Sequence, residues 1–110
     1  MPEHHPTTHE ELLAEFNAQT AKLTWQELSR HFARGVVVKV AQGMDLVAVA
    51  VAIAQDRADE IETWSKAGQL QRANDDDARY WHEQESMFWA VVVAPWVLVQ
   101  EYIQKDNDTN

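Results

Sequence analysis

Apolar residues first recur at helical spacing from Thr8 onward, at Leu12, Leu13 and Phe16. The threonine-x-x-glutamate pattern of Thr8 and Glu11 predicts a capped helix there, running on to Lys22 and Leu23. The same pattern returns at Thr24 and Glu27. It predicts a second helix, TWQELSRHFARG, with Trp25, Leu28 and Phe32 on its apolar face and Gly35 as its stop. VVVKV, Val36 to Val40, is short, β-branched and bounded by Gly35 and AQG, so it reads as a strand.

LVAVAVAIA, Leu46 to Ala54, alternates with a period of two, which favours a strand. Every second residue is alanine, however, and Asp45 stands where a helix cap belongs. Beyond Ala54 the positions Val47, Val51, Ala54, Ala58, Ile61 and Trp64 advance by three or four, and Gly68 follows as a stop. The stretch from Asp45 to Ala67 is therefore predicted to be helical, with Asp56 placed to cap a second segment if the helix breaks near Gln55. A helix apolar all round in its first turns is expected to be central and buried on every side. GQLQRAN reads as a link, after which Asn74 or Asp75 caps a helix through DDARYWHEQE. The three aspartates Asp75, Asp76 and Asp77 then complement its dipole.

The last apolar run, MFWAVVVAPWVLVQEY, has the valines and aromatics of strands, and Pro95 places an edge, bulge or break at its middle. These elements predict one α+β domain over residues 8–104, mostly helical, with a small sheet formed by residues near 36–40 and 88–100. The polar ends, 1–7 and 105–110, read as tails.

The series FARGVVVKV, MDLVAVAVAIAQD, WSKAGQL, ARYW and VVVAPWVLVQE resembles a family of small bacterial proteins known as domain of unknown function 2288, over roughly Leu23 to Glu101. The resemblance implies no activity, substrate or catalytic residue. It would place an acidic or polar residue near Ala48, on an exposed helix face, where this chain is apolar.

Composition narrows the function. Among 110 residues, 18 acids face 9 lysines and arginines, for a formal charge of −9, and the cations are scattered rather than clustered. Nucleic-acid and anionic-membrane binding are disfavoured, and neither apolar run reaches the roughly 20 residues of a membrane span. With no cysteine, disulfides and thiolate chemistry are excluded. The N-terminal stretch has neither a secretory nor a transit pattern, so a cytoplasmic location is expected.

No cofactor motif stands out: the three glycines, Gly35, Gly43 and Gly68, all fall at element ends, so no phosphate loop exists. His4, His5 and His9 read as solvated, the aspartate triplet as capping, and no metal site is expected. Trp25, Trp64 and Trp81 read as core residues. Trp89, Val91, Val93 and Trp96 lie in a run whose odd and even positions are both apolar, so both sheet faces need cover. If one helical layer covers one face, a second copy can cover the other. The expected function is accordingly a non-catalytic, self-associating interaction module, with Trp89, Val91, Val93 and Trp96 at the contact. The alternative is a small enzyme or ligand-binding protein in which Asp56, Glu60 and His82 share a cleft beside the tryptophans.

Overall fold

A computed structural model describes residues 8–102. The tails expected at 1–7 and 105–110 lie outside them, as do His4 and His5. The chain runs α1 (His9–Gln19), β1 (Ala21–Thr24), α2 (Trp25–Ala33), β2 (Val37–Val40), α3 (Leu46–Ala54), α4 (Ala58–Lys66), β3 (Leu70–Arg72), α5 (Asp75–Gln84), β4 (Met87–Val93) and β5 (Trp96–Tyr102).

Three helices begin with reciprocal side-chain caps. Thr8 Oγ1 accepts the Glu11 N–H at 3.0 Å while the Glu11 carboxylate accepts the Thr8 N–H at 3.3 Å. Thr24 and Glu27 repeat the arrangement at 3.1 and 2.9 Å, and Asn74 and Asp77 make a third, both bonds at 2.9 Å. Each cap contributes about 1 kcal/mol to its helix.

Four helices also end alike. At α2, Gly35 takes φ +74° and the Gly35 and Val36 N–H groups bond back to Phe32 O and His31 O. At α4, Gly68 takes φ +78°, with Gly68 and Gln69 bonding to Ser65 O and Trp64 O. At α3 and α5 the left-handed residue is an acid: Asp56 at φ +59° and Glu85 at φ +52°. Around them Arg57 N–H reaches Ala52 O at 2.9 Å and Ser86 N–H reaches Trp81 O at 3.0 Å, completing the same motif. The long helix thus breaks after Ala54. Asp56 closes α3 rather than capping α4, which starts at Ala58 with Arg57 at the cap position and no side-chain cap.

Two further elements depart from the pattern. The first helix does not run to Leu23: Thr20 turns extended (φ −67°, ψ 130°) and Ala21–Thr24 forms β1, pairing antiparallel with β4. GQLQRAN contains β3, paired antiparallel with β2. Both strands are too short for a local signature, and their partners are set by tertiary pairing. The sheet is therefore larger than expected, five strands in the order β1-β4-β5-β2-β3, all antiparallel except the parallel β2–β5 pair.

Helices cover both faces of that sheet, which corrects the expectation of a single layer. Phe16 of α1, Val49 and Val51 of α3, and Ile61 and Trp64 of α4 pack on the face carrying Val91, Val93 and Leu98. Leu28 of α2 and Trp81 of α5 pack on the opposite face, against Phe88, Ala90, Val97 and Val99. There Trp81 meets Phe88 edge-on at 4.9 Å and Trp25 at 5.9 Å. Phe88 and Leu28 are fully enclosed; truncating Phe88 to alanine costs about 3–5 kcal/mol. The helix α3 is not buried on every side, because Val47, Ala48 and Ile53 are half-buried and Ala54 is exposed.

The two layers are offset along β4. On the first face Val91 and Val93 are sealed while Trp89 is 36% exposed; on the second Phe88 and Ala90 are sealed while Val92 is 53% exposed. Each face thus leaves one β4 residue open.

Candidate functional site

The open end of the first face carries an aromatic pair and a cation. Lys22 on β1 sits directly opposite Trp89 on β4, and Tyr102 on β5 lies opposite Met87. The Trp89 and Tyr102 rings meet edge to face at 5.8 Å, with the planes 88° apart. Lys22 Nζ stands 5.3 Å from the Trp89 centroid and 4.5 Å from the Tyr102 centroid. At such exposed sites the cation–ring attraction amounts to about 0.5–1 kcal/mol, a modest bias toward this grouping of the two rings and the ammonium.

The neighbouring sheet edge is poorly suited to adding a strand. The Trp25 N–H bonds Ser86 O at 3.0 Å, so in the alternating antiparallel pattern residues 21 and 23 turn their backbone groups toward β4, and 22 and 24 turn theirs outward. The outward Thr24 N–H is held by the Glu27 carboxylate at 2.9 Å, and just before the strand Thr20 N–H is held by Phe16 O at 3.0 Å. A short edge with a lysine at its middle resists pairing. The exposed feature here is the sheet face.

A cleft of about 390 Å³ lies at the other end of the first face, beside Trp96. Val38, Ile53, Ile61 and Leu70 form its apolar walls, and Asp56 and Arg72 stand at its rim. Arg72 lies over the Trp96 ring at 5.5 Å and donates to Gly35 O at 2.6 Å. The expected cleft of Asp56, Glu60 and His82 is not formed. Asp56 and Glu60 flank one shallow depression at the start of α4, where Glu60 pairs with Arg57 at 3.5 Å. His82 projects from α5 on the opposite side of the sheet, beside Trp25 and Glu85. The break after Ala54 and the two-sided packing of the sheet separate them. Of the expected contact residues, Val91 and Val93 are buried within the chain, leaving Trp89 and Trp96 partly accessible.

A groove of about 390 Å³ with a mixed polar and apolar lining opens on the second face, between α5 and the turns after β2 and α4. The Lys39 ammonium on β2 donates to Asp77 Oδ1 at 2.9 Å, tying α5 to the sheet. On β5, the Glu101 carboxylate accepts from Ser86 Oγ at 3.2 Å, and Gln42 Nε2 donates to Glu101 O at 2.7 Å. The next residue inward, Gln100, turns to the first face and donates to Ala41 O and Met44 O, both at 2.8 Å. Two of the three aspartates make contacts within the chain: Asp77 completes the cap of α5 and holds Lys39, while Asp76 pairs with Arg79 at 3.0 Å. Among the described residues no group of three or more His, Asp or Glu is arranged to hold a metal ion, and no helix is long and apolar enough to cross a membrane. Lys22, Tyr102, Gln69, Gln71 and Tyr80 carried no signal in the sequence, because the pairings that gather them are non-local.

The structure is similar to the NMR solution structure of PA1075 from Pseudomonas aeruginosa, with a TM-score of 0.76 and 36% identity over 98% of this chain and 100% of that one. No curated protein matches the chain. A family model described as "protein of unknown function (DUF2288)" matches residues 11–101, and with nearly the whole α+β unit inside that match the chain belongs to this family.

Proposed function

We propose that this protein is a non-catalytic interaction module that self-associates through the open sheet end carrying Lys22, Trp89 and Tyr102. The observation that supports the reading is the exposure of Trp89 beside an edge-on Tyr102 and under a lysine. Aromatic side chains fixed on a rigid sheet lose little entropy on contact and dominate the energetics of many interfaces. Their burial against a second copy would cover the Trp89–Tyr102 pair that the helices leave open. The offset of the two helical layers supplies the need for cover that the single-layer expectation placed elsewhere.

The charge of −9 sets a condition on this association. Two such bodies repel over roughly a Debye length, about 8 Å at physiological ionic strength. Salt should therefore strengthen the assembly by screening that repulsion, with the apolar contact unaffected. Sedimentation equilibrium on the full chain at low and at moderate salt tests the proposal. A mass above one chain that rises with salt, and falls for Trp89→Ala, is the expected result. A strictly monomeric chain at micromolar concentration in both conditions would overturn it.

A further inference from the structure

The mixed-lined groove on the second face lies away from the Trp89 patch, and we propose that it is a binding site for a small neutral polyhydroxylated ligand of the sugar or cyclitol class. Three glutamines enter it from three separate segments: Gln42 after β2, Gln69 after α4 and Gln71 on β3. Gln42 Nε2 is engaged with Glu101 O, which leaves its amide oxygen as an acceptor. Neither Gln69 nor Gln71 makes a side-chain hydrogen bond to any described residue, and the Tyr80 hydroxyl is likewise unpartnered. One Glu101 carboxylate oxygen receives Ser86 and the other remains available. Tyr80, 53% exposed, stands at the rim over this set.

The donor and acceptor inventory selects the ligand. An amide both donates and accepts, and so does each hydroxyl of a sugar, so several amides, a phenol and a carboxylate oxygen match an array of hydroxyls better than any single charge. The tyrosine ring offers an apolar face to the C–H side of such a ring. Other classes fit less well. An anion meets a lysine already neutralised by Asp77 and a second carboxylate at Glu101, a local balance of one negative charge. An apolar ligand would leave the amides of Gln69 and Gln71 buried without partners, a penalty for each. A volume of about 390 Å³ is within the range of small-molecule sites, which starts near 300 Å³.

The test is an amide NMR titration of the full chain with D-glucose, D-mannose, D-galactose and myo-inositol, and with glucose 6-phosphate as the charged control. Expected are saturable shifts for at least one neutral probe, centred on Gln42, Gln69, Gln71 and Tyr80, with glucose 6-phosphate weaker than glucose. Gln71→Ala and Tyr80→Phe, both at exposed positions and both checked for an unchanged spectrum elsewhere, should each weaken binding by about tenfold. No saturable shift with any neutral probe up to tens of millimolar, shifts centred outside the groove, or tighter binding of the phosphate would each overturn the proposal. Self-association is read independently by sedimentation, so failure of either proposal leaves the other standing.

Discussion

Lys39 Nζ and Asp77 Oδ1 lie 2.9 Å apart across the gap between the sheet and α5, with both side chains mostly shielded from water. Asp77 uses its second oxygen to accept the Asn74 N–H, so one carboxylate both starts the helix and fastens it. Asp77→Asn keeps the capping acceptor and removes the charge, whereas Asp77→Ala removes both. In urea unfolding we expect Asp77→Ala to cost about 2 kcal/mol and Asp77→Asn less, with Asp75→Ala within about 0.5 kcal/mol of wild type. A double-mutant cycle of Lys39→Met with Asp77→Asn should return a coupling near 1 kcal/mol. Zero coupling would mean that the pair is ornamental to stability.

Asp56 and Glu85 hold the left-handed positions that glycine holds at the ends of α2 and α4. An L-residue there costs roughly 1–2 kcal/mol, moderated for aspartate by its tolerance of this region. Asp56→Gly is therefore expected to leave stability unchanged or raise it by up to about 1 kcal/mol, while Asp56→Val should lower it by more than 1 kcal/mol. A clear loss of stability in the glycine variant would show that the Asp56 side chain carries a contact that outweighs its backbone strain.

Val51 is fully buried within α3. Proline there removes an internal hydrogen bond and clashes with the preceding turn, so Val51→Pro should cost about 3 kcal/mol or more and unfold a marginal domain. Circular dichroism that retains the native helical signal would contradict the assignment of this segment.

Trp89→Ala and Trp25→Ala separate contact from core. Trp25 packs against Phe32 at 5.8 Å and Trp81 at 5.9 Å inside the chain, so its loss should lower the thermal midpoint. Trp89, at the open sheet end, should instead weaken assembly by about 2 kcal/mol with a smaller change in monomer stability. The reverse ordering in sedimentation and melting data would count against a contact at this face.

Much of the architecture is written locally. The Thr8–Glu11 and Thr24–Glu27 spacings mark helix starts, Gly35 and Gly68 mark ends, and Pro95 marks the turn between β4 and β5, each through chemistry that acts within a few residues. AKLT and LQR escape such reading, since they become strands only by pairing with β4 and β2. The same limit governs the candidate site. Asp56, Glu60 and His82 are close enough in sequence type to suggest a shared cleft, yet which side of the sheet each occupies depends on how the strands are ordered. Trp89 was legible as a sheet residue needing cover; its companions Lys22 and Tyr102 were not, because β1 itself was not.

The last strand has a consequence for the order in which the chain can take shape. β5 lies between β4 and β2 in the sheet, and its Gln100 pins the turn at Ala41 and Met44. Without Trp96–Tyr102, β1–β4 and β2–β3 are two ribbons with no strand between them, and Phe88, Ala90 and Val91 lose the sheet neighbours Val99 and Leu98 that help to keep them from water. The strand that comes latest among the described elements is thus a central one, a non-local arrangement of the kind that slows folding, and a chain cut before Trp96 is expected to lose the whole sheet rather than one edge.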